Sequence, residues 1–275
     1  MGPRTPKAST SLPSSPADAP SAQAKGHDWR PLTGTGLKWI AIVTMLVDHA
    51  GAVLVLPYCL LLYRTHAANA MEAYQVYLLM RHVGRIAFPL FCFALVEGFV
   101  HTHSRPRQVV RLALFAAVSE IPFDLALNDG VISYATSLNV MFTLLIAYVV
   151  MWVPELVGDR LGLSRLARGV LLVPCAIGGA WLALALDVDY HAFGVLLVCG
   201  LYLARDSRVA QLAVGAALAA AYCLVHNDWM EMYSIVGMAC FLLYNGRRGR
   251  GMKYFFYLFY PLHLLLLWLI AGALA

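Results

Sequence analysis

Asp48 and His49 stand side by side in LKWIAIVTMLVDHAGAVLVL, a stretch that is otherwise almost wholly apolar from residue 37 to residue 56. A helix rises ~1.5 Å per residue, so Asp48 sits roughly 16 Å into this stretch, near the middle of a bilayer. A carboxylate there costs roughly 3 kcal/mol or more unless something pairs with it. A histidine beside a carboxylate can take or give a proton near neutral pH. The pair therefore raises two questions: what neutralises the carboxylate, and what the imidazole is for.

Other polar residues inside apolar runs supply candidate partners. Arg85 lies in the second apolar run, and His263 lies about ten residues into the last one. Asp48, His49, Arg85 and His263 can share one depth, and together they hold the parts of acid–base chemistry. A plain structural ion pair between Asp48 and Arg85, and a His263 bonded only to a backbone carbonyl, are the competing readings. Arg81 and His82 are expected nearer the outer surface. At the other end of the second run come Glu97, His101, Thr102, His103 and Arg105. With Arg107, Arg111 and the RRGRGMK run, they suit a phosphorylated ligand, although basic loops also occur in membrane proteins that bind none. Glu120 and Asp124 flank Pro122, which is expected to kink or end its helix. Asn139 and Thr143, four apart, suit hydrogen bonds between helices.

The elements that must position these residues are membrane helices. The chain has 275 residues, of which 61% are hydrophobic and 13% charged. Soluble domains carry about 25% charged residues. The runs do not alternate, which excludes a transmembrane barrel. Nine segments are expected, at about 37–56, 78–101, 109–126, 138–154, 169–186, 190–204, 209–225, 231–245 and 254–272. The sixth is short. The expected fold is an all-α polytopic bundle forming a single transmembrane domain over 31–275. Residues 1–30, rich in Pro and Ser, are expected to form a disordered cytoplasmic tail.

Arginines and lysines crowd the amino-terminal flank and every even loop. The intervening loops carry Asp129, Asp187, Asp189, Asp228 and Glu231, with Arg64 as a basic exception. The positive-inside rule then puts the N-terminus in the cytoplasm and the C-terminus outside. The net charge of +5 lies in these short loops, so no nucleic-acid partner is expected. The six cysteines form no CxxC pair and read as small buried hydrophobes, and no metal site is expected. Walker A, GxSxG and HExxH motifs are absent, which excludes a nucleotide-driven pump, a serine hydrolase and a zinc protease.

LKWIAIVTMLVDHAG, HVGRIAFPLFCFALVEGFVHTHSRPRQVVRLALFA, SEIPFDLAL, SLNVMFTLLIA and FYLFYPLHLLLLWL resemble the TraX family, over roughly 37–150 and 254–270. The resemblance implies acetylation of conjugative pilin, with acetyl-CoA as the acyl donor, and a kinship with membrane acyltransferases. The acceptor could instead be a glycan, a lipid or another amine or hydroxyl. The positions carried over are Asp48, His49, Gly84, Arg85, Pro89, Glu97, Gly98, His101, Thr102, Arg111, Asn139, Tyr260, Pro261 and His263. On this basis Asp48, His49, Arg85 and His263 are the catalytic set. Glu97, His101, Thr102, Arg111, Asn139 and Tyr260 are the donor-binding set, joined by Lys38 and Arg105 of the basic inner flank and loop. His49, oriented by Asp48, or His263 is the expected base; Arg85 stabilises an oxyanion or orients Asp48. The expected setting is a bacterial inner membrane, with the lipid bilayer as a further partner. A proton-coupled transporter and a non-catalytic assembly scaffold are the rival readings.

Overall fold

The structure, a computed structural model, describes residues 2, 29–128, 137–251 and 253–274. The expected tail and Asp129 lie outside these residues, apart from Gly2, Trp29 and Arg30. Among the described residues the fold is all-α, with no strand beyond two isolated parallel bridges, Leu32–Tyr244 and Leu138–Val188.

Nine continuous helical stretches follow one another among the described residues: α1 Gly34–Arg64, α2 Ala70–His101, α3 Arg105–Leu127, α4 Val140–Leu161, α5 Arg165–Ala185, α6 His191–Leu203, α7 Arg208–His226, α8 Trp229–Leu243 and α9 Lys253–Leu274. Of these, six are long and apolar enough to cross a membrane: α1, α2, α4, α5, α7 and most of α9. The protein is a multi-pass integral membrane protein. Along α5, Val170, Val173, Ile177, Trp181 and Leu184 form an exposed apolar stripe at helical spacing, as a lipid-facing helix requires.

Local sequence explains most ends. Thr33, Asn139, Ser164, Ser207 and Asp228 each accept a hydrogen bond from a backbone N–H in the first turn that follows. Gly162, at φ 64°, closes α4 in the left-handed conformation.

Two expected boundaries move. The first helix continues to Arg64 instead of stopping near 56, and the second begins at Ala70 instead of 78. Pro57 follows a π-helical turn, Gly51–Val55, and falls in the first turn of the next α-helical piece, where a missing N–H is tolerated. Pro122 likewise lies inside α3, which runs on to Leu127.

The second helix breaks at Arg85 and Ile86. Pro89 has no N–H for the Arg85 carbonyl, and its ring crowds that carbonyl, so the α-helical ladder cannot pass through. The Ile86 N–H bonds to the Val83 carbonyl instead, at 3.2 Å. Into this break packs α8, itself a short α-helical turn between two 3-10 pieces. A Cβ on Gly237 would lie 2.4 Å from the Ile86 carbonyl oxygen.

At the centre stands α6. Thirteen residues span about 20 Å, less than the ~30 Å hydrocarbon core. Its apolar residues cover its whole circumference, so it is buried: Val195, Leu197, Val198 and Leu201 have no exposed surface. α2, α4, α5 and α7 enclose it.

The two ends of the bundle differ in charge. Leu32 pairs with Tyr244, Arg208 bridges to Glu97 at 3.0 Å, and Arg165 pairs with Asp206. These contacts gather the amino-terminal flank and the even loops onto one arginine-rich end. At the other end the segment before α4 pairs with the loop before α6 through Leu138 and Val188.

Gly237→Ala should lower stability by about 1–3 kcal/mol, the usual cost of overpacking, because its neighbour is backbone. Thermal or denaturant unfolding in detergent measures this; an unchanged midpoint would mean that α8 does not sit against the α2 break.

Candidate functional site

Asp48 is 8% exposed. Its Oδ2 accepts a hydrogen bond from Arg81 at 2.7 Å, and its Oδ1 lies 3.6 Å from Arg85. The expected Arg85 partner is present, but Arg81 holds the shorter contact. Because α2 starts at Ala70, Arg81 lies eleven residues in, about 16 Å from that end, rather than at the surface. Arg81 and Arg85 are four apart and share a face, so one helix presents two guanidinium groups to one carboxylate.

The approach is close. A Cβ on Gly84 would fall 2.0 Å from Asp48 Oδ1, so only glycine fits. Arg85 also lies 3.6 Å from Glu231, a buried carboxylate at the start of α8. Read from sequence, Glu231 belonged to a solvated acidic loop. Two carboxylates and two arginines thus form one cluster drawn from α1, α2 and α8.

Tyr190 completes it. Its hydroxyl accepts a hydrogen bond from Arg85 at 3.4 Å, and its ring stacks on Phe88 with centroids 3.6 Å apart. Tyr190 has φ 63°, and Asp187 and His191 also have positive φ. Each such non-glycine residue costs of order 1–3 kcal/mol and persists only where its surroundings fix it. Here Leu138 bonds to Asp187 and Asp189 at 2.9 and 2.7 Å, and Thr143 Oγ1 donates to the Asp189 carbonyl.

His49 points elsewhere. Its Nδ1 lies 2.6 Å from His263 Nε2, and His263 Nδ1 lies 2.7 Å from the Phe259 carbonyl. A carbonyl only accepts, so His263 Nδ1 carries the hydrogen. In the neutral ring Nε2 then accepts, and His49 Nδ1 donates to it. The His49 Nε2 is left with a free lone pair. His49 is therefore oriented by His263, whereas Asp48, the expected orienter, is engaged by the arginines.

Two cavities meet at this level. The outer one, about 270 Å³, is lined by Asp48, His49, Arg81, Arg85, Asp189 and Tyr190, among others. The inner one, about 500 Å³, opens toward the arginine-rich end and is lined by Lys38, Glu97, His101, His103, Arg248 and Arg250 as well as apolar and aromatic side chains. Met45, Phe91, Val140 and Tyr260 line both and form the wall between them.

Of the expected donor-binding residues, Lys38, Glu97, His101, Thr102 and Tyr260 line the inner cavity, as does Gly98. Three do not. Arg105 lies over the Phe99 ring and Arg111 over the Tyr257 ring. Asn139 caps α4 and binds the Ala116 carbonyl at 2.9 Å and the buried Glu120. It joins helices, as its spacing to Thr143 suggested. Pro261 is buried within α9. Arg81, Tyr190 and Glu231 were missed as site residues. The i, i+4 spacing of Arg81 to Arg85 is the one signal that could have found any of them.

Asp48→Asn should destabilise the protein by about 3–5 kcal/mol, since it leaves Arg81 without its anion and Arg85 with Glu231. Adding Arg81→Gln should restore part of that loss. Unfolding midpoints of the four proteins measure the coupling, and additive effects would refute the pairing.

A family model described as TraX protein matches residues 33–271. A protein of Dichelobacter nodosus described as "Probable fimbrial assembly protein FimC, serogroup H1" is 27% identical over 252 residues, covering 84% of this chain and 92% of that protein. No solved structure matches the chain. The family match takes in all nine helices except the last residues of α9, and on that match the chain belongs to the TraX family.

Proposed function

We propose that this protein is a membrane acyltransferase that moves an acetyl group from acetyl-CoA on one side of the bilayer to an amine or hydroxyl acceptor on the other. One observation carries the reading: two cavities, one lined by basic residues and one by the Asp48 cluster, share four lining residues, and His49 lines the second.

By the positive-inside rule the arginine-rich end faces the cytoplasm, and the membrane is a bacterial inner membrane. Lys38, Arg248 and Arg250 at the inner cavity suit the phosphates of CoA. Its apolar lining suits the pantetheine arm, and its volume lies in the range of small-molecule sites. Met45, an unbranched side chain, is the wall residue best able to swing aside for the thioester.

The acceptor enters the outer cavity. Its nitrogen or oxygen bonds to the thioester carbonyl carbon while His49 Nε2 takes its proton. Arg85 faces the negative charge that develops on the carbonyl oxygen. The C–S bond then breaks, and His49 returns the proton to the departing CoA sulfur. His263 holds the His49 ring and its tautomer throughout. A transfer of this kind needs one base and no acyl-enzyme. The fimbrial relative points to a pilus subunit as acceptor; an envelope glycan presents the same nucleophiles.

Purified protein with radiolabelled acetyl-CoA and candidate acceptors tests the reading. His49→Ala should lower kcat about 10²–10⁴-fold, the usual share of a general base. Arg248→Gln with Arg250→Gln should raise the KM for acetyl-CoA about tenfold per lost charged contact, with kcat unchanged. Normal turnover by a folded His49→Ala protein would remove the assignment. Flux driven by a pH gradient, without any need for CoA, would make the protein a transporter.

A further inference from the structure

We infer that Tyr190 is a positioning residue of the outer cavity, holding Arg85 toward the reacting atoms through its hydroxyl. This rests on the acyl-transfer reading for its consequence in turnover, but not for its geometry.

Three observations converge on Tyr190. Its backbone lies at φ 63°, where an aromatic residue is disfavoured, and Asp187 and His191 beside it share the strain. The surroundings enforce that conformation. The Asp189 N–H donates to Leu138, Thr143 bonds to the Asp189 carbonyl, and Phe88 stacks flat on the Tyr190 ring. Gly194 leaves room for this arrangement: a Cβ there would lie 2.9 Å from Phe88 and 2.5 Å from Thr143. The fold thus holds the loop in place at a cost, and the side chain so fixed lines the outer cavity.

What the hydroxyl does follows from its partner. Arg85 is shared among Asp48 and Glu231, each at 3.6 Å, and Tyr190 at 3.4 Å. The two carboxylates lie on α1 and α8, so they pull on the guanidinium from different helices. A neutral acceptor lets the phenol steer the group without neutralising it. The hydroxyl accepts from Arg85, so its own hydrogen is free to donate to a ligand oxygen in the cavity.

Tyr190→Phe keeps the ring, the stack and the backbone, and removes only the hydroxyl. Phenylglyoxal, which modifies arginine, should label Arg85 about tenfold faster in this variant, as expected for one lost hydrogen bond to a charged group, while labelling of Arg81 is unchanged. Peptide mass spectrometry reads both. The same variant should lose about tenfold in kcat with its KM for acetyl-CoA unaltered and its melting temperature lowered by only a few degrees. Unchanged Arg85 labelling with unchanged kcat overturns the inference. If the native protein acetylates nothing, the acyl-transfer reading falls, and the Arg85 labelling alone decides for or against Tyr190. If Tyr190→Phe does not fold, Phe88→Leu is the second arm. It frees the phenol from its stack and should accelerate Arg85 labelling likewise, and an unchanged rate overturns the inference.

Discussion

The structure depends on one carboxylate that must not stay alone. Asp48 lies fourteen residues into α1, about 21 Å from its start, where water is scarce. One arginine would neutralise it. Two are supplied from one face of α2, and the second carries an excess positive charge that needs its own counter-ion. Glu231 meets that need from α8. The cluster then ties three helices together, each arginine facing a carboxylate, as buried ions require. It also explains two small residues. Gly84 lets α1 and α2 approach until Asp48 touches the α2 backbone, and Gly237 lets α8 reach the break beside Arg85.

Irregular backbone gathers at this same level. The π turn follows His49, the break in α2 falls at Arg85, the 3-10 turn of α8 contains Glu231, and the left-handed residue is Tyr190. Within a bilayer such geometry survives only where protein covers it or where it lines a cavity. Both conditions hold. The short α6 is the enabling feature. Because it stops after thirteen residues, the loop before it can join the cluster, and a recess forms above a fully packed centre.

The sequence made the architecture legible because two independent signals agreed. Apolar length located nine helices, and arginine placement alternated with them. The four residues judged able to share a depth, Asp48, His49, Arg85 and His263, do meet in two contacts, Asp48 with Arg85 and His49 with His263. Hydropathy misjudged where α2 begins, since AMEAYQVYLL mixes polar and apolar residues. That error placed Arg81 at the surface. Tyr190 and Glu231 were hidden for another reason. Both stand at the first residue of an expected segment, beside acidic loop residues, and only tertiary packing turns such ends inward. The pairing of His49 with His263 was equally out of reach, because depth alone does not say which of two acidic or basic neighbours a ring will face.

That pairing bears on how a thioester could be handled inside a membrane. A water-filled channel through the protein would expose the donor to hydrolysis and the cell to proton leakage. On the acyl-transfer reading, the base must therefore sit at a dry partition rather than in a pore. Met45, Phe91, Val140 and Tyr260, which line both cavities, are the residues that would form such a partition, and only the tyrosine among them has a polar side chain. His49 stands beside Tyr260, with ring centroids 6.2 Å apart, and its tautomer is set by His263 rather than by a carboxylate. A carboxylate partner would stabilise an imidazolium and hold the proton. On the same reading, a neutral imidazole, itself bonded to a carbonyl, would fix the ring without that electrostatic trap, so that a proton taken from an acceptor could return promptly to the sulfur. Keeping Asp48 occupied with the two arginines serves the same end, because it leaves the acid next in sequence unavailable to His49.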